Sequence, residues 1–252
     1  MYFELIPILI VVLLYGLVIG SFLNVCIYRI PKKETVVTER SHCMSCGYQL
    51  QWYDMIPVAS WLVLGGKCRK CKARISAQYP IVESANGILY VVVFCVNGVN
   101  WTSVLYCLLV SALIVLSVID LRTYEIPFGI NIFILMLGLI HIALDYSNWA
   151  SYVIGLFAIS IPLEIILLAS GGRAIGGGDV KLMAAAGLLL GWKKIILALV
   201  LGCILGSIIH IIRMKVSHAE RVLAMGPYLA MGILLSALWG DAWISAYLSL
   251  FL

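Results

Sequence analysis

The chain has 252 residues, 63% of them hydrophobic and 12% charged, with a formal net charge of +5. Soluble domains run about 45–50% apolar and about 25% charged. With a mean hydropathy of +1.07, this composition excludes a disordered chain, a disulfide miniprotein and an ordinary soluble domain. Continuous apolar runs long enough to cross a bilayer, roughly 20 residues each, point to an all-α polytopic membrane protein. A membrane β-barrel would instead alternate with period two.

The first apolar run, residues 5–28, has Glu4 and no Lys or Arg ahead of it. It is longer than the apolar core of a cleavable signal and reads as a retained first span. Further spans are expected at 81–97, 101–119, 127–144, 149–169, 179–191, 194–213 and 226–250, about eight in all. The sixth is short and rich in Gly and Ala. The last carries Gly240 and Asp241, near which it can divide into two pieces.

Nine of the 17 basic residues fall between Arg29 and Arg74. In a membrane protein such a stretch reads as a topology signal rather than a nucleic-acid site. With residues 29–80 in the cytosol, every Lys and Arg lies on the cytosolic side except Lys193 and Lys194. Both termini then lie outside.

The same segment holds Cys43-Met44-Ser45-Cys46 and Cys68-Arg69-Lys70-Cys71, two CxxC pairs 21 residues apart. In a reducing compartment paired cysteines serve metals more often than disulfides. Two such knuckles close a tetrahedral four-thiolate site, so Cys43, Cys46, Cys68 and Cys71 are the expected ligands of a structural zinc. The competing reading is four free thiols. About 50 residues between spans bury too little apolar surface to fold without such a staple. Trp52, Tyr53, Ile56, Pro57, Trp61 and Leu62 are expected to form a small apolar patch between the knuckles or against the membrane surface. His42 reads as a polar loop residue. Cys26, Cys95, Cys107 and Cys203 fall within spans and are expected to be buried packing residues.

Carboxylates in spans are functional candidates. Asp120 ends the third span in Ile119-Asp120-Leu121-Arg122, and Asp179 begins the sixth in Gly176-Gly177-Gly178-Asp179. Two spans separate them, so both face the cytosolic boundary, on the side of the cysteine segment. The glycines leave room for an extended peptide or a water, or else form a helix-packing turn. Two carboxylates in one site suit acid–base hydrolysis, because like charges close together keep one of the pair protonated. The chain has no GxSxG, HExxH or Walker motif. Glu164 reads as buried and neutral, or paired with a basic group. Arg122 and Lys181 serve as membrane anchors or orient substrate carboxylates, and Asn24 and Glu83 are candidates to line the site. His141 and His210 read as packing or pore residues.

At these residues the chain resembles the bacterial type IV prepilin peptidases. The resemblance is carried by Gly20-Ser21-Phe22-Leu23-Asn24-Val25 with Tyr28-Arg29-Ile30-Pro31, by the region from His42 to Glu83, by Ile119-Asp120-Leu121-Arg122 with Ile126-Pro127, and by Gly176 to Leu182. It implies an enzyme that cleaves the basic leader of prepilins or pseudopilins at the cytosolic face of the bacterial inner membrane. It also implies methylation of the new N-terminal amine by S-adenosylmethionine. The catalytic aspartates would be Asp120 and Asp179, and the zinc ligands the four cysteines. The layout would be residues 1–30 as first span, 31–80 as cytosolic zinc-binding region and 81–252 as peptidase core. The chain departs from the family pattern at Met44, at Gly177 and at Phe128, where an acidic or amide residue is common after the proline. A proton-coupled transporter and a non-catalytic, zinc-bearing pilus or secretion assembly factor are the alternatives. The transporter expects carboxylates at mid-span. The assembly factor expects aspartate replacement to be tolerated.

Overall fold

The computed structural model describes residues 2–37, 40–217 and 223–250, and the chain divides into two units, Met1–Ser103 and Val104–Leu252. No strand forms among the described residues.

In the first unit, α1 (Tyr2–Arg29) and α3 (Gln78–Asn97) cross antiparallel. Glycine permits the close approach. A Cβ on Gly16 would fall 2.7 Å from Gly87 Cα, and one on Gly20 would fall 2.7 Å from Glu83 Cα. Amide side chains stitch the seam. Asn86 Nδ2 donates to Gly16 O at 2.7 Å, and Asn24 Nδ2 donates to Tyr79 O at 3.2 Å. Between these helices lie a 3-10 turn at Trp52–Met55 and the short helix α2 (Ala59–Val63).

The second unit holds α4 (Trp101–Thr123, whose first residues belong to the first unit), α5 (Phe128–Leu144), α6 (Trp149–Ala158), α7 (Ser160–Ala169), α8 (Gly177–Leu190), α9 (Trp192–Ser217) and α10 (Gly226–Leu248). Helix α8 is the core element, packed by α5, α6, α7, α9 and α10. Its Leu182, Met183, Ala186 and Leu189 are fully buried. Gly155 and Gly187 let α6 and α8 touch backbone to backbone.

Six helical segments are long and apolar enough to span a membrane: Ile6–Arg29, Gln78–Asn97, Trp101–Thr123, Tyr146–Ala169, Trp192–Lys215 and Gly226–Leu248. Phe128–Leu144 is a shorter apolar helix. The expected sixth span, 179–191, is α8, whose 14 residues rise only about 21 Å. That is less than the hydrocarbon thickness of about 30 Å, so the eight expected spans are not all realised. The fifth expected span is broken at Ile159, three residues before Pro162, which has no N–H to continue the ladder. The last is continuous through Gly240, and Asp241 pairs with Lys194 at 2.6 Å.

Candidate active site and metal centre

The two CxxC pairs fold identically. Cys43 N–H donates to Tyr48 O at 2.9 Å and Cys68 N–H to Ala73 O at 2.8 Å; Gly47 N–H returns to Cys43 O and Lys72 N–H to Cys68 O. Antiparallel bridges His42–Gln49 and Lys67–Arg74 close each loop. The residue after each second cysteine has positive φ, +67° at Gly47 and +60° at Lys72. Arg69 binds Asp54 at 2.7 Å and lies over the Tyr53 ring, which fastens the 3-10 turn to the second knuckle.

These loops bring the four sulfurs within 4.8 Å of one another, with Cys43 and Cys71 Sγ at 3.8 Å. A disulfide needs about 2.05 Å. A zinc–sulfur bond of about 2.3 Å in a tetrahedron sets ligands about 3.8 Å apart. The cluster therefore fits a four-thiolate metal site.

Of the residues of the expected apolar patch, Trp52 is 74% and Leu62 63% exposed, as a surface patch would be. Pro57 and Trp61 are half-buried, Trp61 donating to Ile75 O and lying under Gly66. Of the span cysteines, Cys107 is buried, whereas Cys95 and Cys203 are exposed, so packing does not explain the latter two.

In the second unit, the last turn of α4 carries Asp120 and the first turn of α8 carries Asp179. Both line a cleft of about 290 Å³, together with Tyr124, Glu125, Ile126 and Gly176 to Gly178. The glycine turn is needed at Gly178, where a Cβ would fall 2.9 Å from the Ile126 side chain. At Gly176 a Cβ would sit 3.2 Å from Asp179 Oδ2. Asp120 is 4% exposed, and its Oδ2 accepts the Gly226 N–H at 2.9 Å. Such a pair, one of them buried and held by a backbone donor, can activate a water and protonate a leaving group.

Four residues at this cleft escaped the sequence reading: Tyr124, Glu125, Gly226 and Asn131. The Gly226-Pro227 step is a visible helix start, but its partner is not visible. Asn131 is buried in α5 and donates to Gly178 O at 3.4 Å. Phe128, where the family pattern differs, carries the Lys181 ammonium over its ring at 5.2 Å. Glu164 is exposed on α7 rather than buried. Asn24 and Glu83 are buried in the first unit, where Glu83 accepts the Val58 N–H. His141 is buried between rings, its Nδ1 2.8 Å from Leu189 O.

Comparison with known proteins bears on both units. Residues 14–97 match the profile of the bacterial peptidase A24 N-terminal domain, and residues 107–211 that of the type IV leader peptidase family. The prepilin leader peptidase/N-methyltransferase of Stutzerimonas stutzeri is 32% identical over 94% of this chain and 92% of its own length. The proteins of that name from Aeromonas salmonicida (33% identical; 94% and 93%) and Pseudomonas aeruginosa (32%; 94% and 92%) match as extensively. No solved structure gives a significant match. With relatives aligned along nearly their whole length and the glycine–aspartate turn inside the matched region, the chain belongs to the type IV leader peptidase family.

Proposed function

We propose that the protein removes the leader of prepilins or pseudopilins at the cytosolic face of the bacterial cytoplasmic membrane and N-methylates the amine so exposed. The observation that carries this reading is the single cleft lined by both Asp120 and Asp179. The ionised carboxylate takes a proton from water as its oxygen attacks the scissile carbonyl. The protonated partner gives its proton to the leaving amine. S-adenosylmethionine would then be a second substrate: its methyl group would pass from the sulfonium sulfur to the new N-terminal amine, which loses a proton, and S-adenosylhomocysteine would leave. Zinc at Cys43, Cys46, Cys68 and Cys71 is structural, because four thiolates leave no open coordination position. The distribution of Lys and Arg supports the cytosolic placement of the cleft. A proton-coupled transporter needs carboxylates at mid-span, whereas Asp120 and Asp179 sit at helix ends.

The test is the product mass after incubating purified protein with a prepilin and S-adenosylmethionine, alongside Asp179→Ala. Loss of the leader plus one methyl, absent in the variant, is the expected result. An intact substrate with folded, metal-loaded protein would overturn the reading.

A further inference from the structure

We propose that α2 and the 3-10 turn before it lie in the interface of an anionic bilayer, with their exposed apolar side chains among the acyl chains and the cations of the second knuckle on the lipid phosphates.

One hydrogen bond sets the depth. Val58 N–H, immediately ahead of α2, donates to Glu83 Oε2 at 2.7 Å. Glu83 stands five residues into α3, about 7.5 Å along the helix from its start at Gln78. Gly20 of α1 packs against Glu83, nine residues or about 13 Å from the end of that helix at Arg29. Both helices are long and apolar enough to span a membrane. The start of α2 is therefore held alongside the spans rather than clear of them. Near that level α1 and α3 expose Phe22 and Ile81, which a bilayer covers.

The apolar side chains of α2 point away from the protein. Trp61 faces the second knuckle, its Nε1 donating to Ile75 O at 3.3 Å and its ring lying against Gly66. Helical residues are turned by about 100° each, so Val63, two residues on, points the opposite way, and it is 83% exposed. Leu62 is exposed beside it, and the 3-10 turn packed on α2 adds exposed Trp52, Met55 and Ile56. A contiguous apolar patch of this kind marks a contact surface. At the depth of the spans the covering medium is lipid, and tryptophan is favoured at its boundary.

Charge selects the lipid. Lys67 follows α2 closely, and Lys70, Lys72 and Arg74 follow on the second knuckle; all four are exposed, and none forms an ion pair among the described residues. Asp54 is the only carboxylate between Arg40 and Glu83, and Arg69 takes it. These four cations outnumber the two negative charges that four thiolates leave on a divalent metal. A zwitterionic surface offers them no net attraction, whereas an anionic one attracts each Lys or Arg held near it.

The experiment uses full-length, metal-loaded protein in nanodiscs of phosphatidylcholine, with and without phosphatidylglycerol. Phosphatidylcholine brominated on its acyl chains quenches the tryptophans it touches. Trp52→Phe is expected to lower the quenchable emission, most with bromine near the headgroup end of the chain. Amide exchange over residues 59–64 is expected to slow when phosphatidylglycerol is added. Lys67→Gln with Arg74→Gln is expected to reduce that protection about fivefold per charge removed. Should this variant lose its metal, the two lipid compositions compared on the unaltered chain decide. A Trp52 that brominated chains do not quench shows that water or protein covers the face, and overturns the proposal. Exchange that ignores lipid charge overturns it as well.

Discussion

The backbone N–H of Val58 donates to Glu83 Oε2 at 2.7 Å, which ties the cysteine segment to a carboxylate buried in α3. Val58 has φ +60° and ψ −51°, and Ala59 N–H reaches back to Pro57 O at 2.5 Å. This γ-turn is rare and strained, all the more for a β-branched residue. Ser21 also hydrogen-bonds Glu83, so α1 shares in the clamp. Glu83→Leu, which removes the acceptor, is expected to destabilise the protein by about 1–3 kcal/mol. Glu83→Gln keeps an acceptor oxygen and is expected to lose less. Denaturant unfolding in micelles checks the order, and equal losses would refute the clamp.

The knuckles predict a metal dependence. One zinc per chain is expected by metal analysis, and Cys68→Ser or a strong chelator should release it and unfold residues 42–75. Lys72 sits at φ +60° where its counterpart is Gly47. An L-residue there carries a left-handed penalty of about 1–2 kcal/mol, part of which glycine gives back as chain entropy. Lys72→Gly is therefore expected to slow chelator-driven zinc loss. Faster loss would show that the lysine side chain, not its backbone, matters there.

Asp145 between α5 and α6 predicts a pH dependence. Its carboxylate accepts from Tyr152 OH at 2.6 Å and from Asn148 and Ser147, and these hydrogen bonds hold it below the usual carboxylate range. A depressed folded value means stability that is present above the unfolded value near 3.9 and lost as pH falls through the folded one. Asp145→Asn should lower the melting temperature at neutral pH, with the difference vanishing at strongly acid pH. A difference that persists in acid would show that geometry, not charge, is at stake.

Asn131 predicts a trade of stability for activity. Its Nδ2 steadies Gly178, the residue before Asp179, while its Oδ1 is buried with no partner among the described residues. An orphaned buried acceptor costs about 1–3 kcal/mol. Asn131→Leu is expected to gain about 1 kcal/mol, or roughly 2–4 °C, and to lower kcat by about 10-fold through a looser turn. Unchanged cleavage would remove Asn131 from the positioning of Asp179.

The helical class, the gathering of the four cysteines and the meeting of the two aspartates in one cleft were legible in the order of residues. Each rests on short-range chemistry: long apolar runs, CxxC spacing, a carboxylate at the edge of an apolar run. The partner of each buried polar group was not legible. Helices that are apolar on nearly every side carry no stripe to say which face meets which neighbour. The exposed Cys95, Cys203 and Glu164 and the too-short α8 show how little such a run says about burial. That Gly226 meets Asp120, that Val58 meets Glu83, and that α8 becomes the core element depend on backbone approach at Gly226 itself, at Gly20 against Glu83, and at Gly155 against Gly187. Those contacts exist only once the helices are packed, because what they require is the absence of a side chain at a crossing, not the presence of one in a pattern.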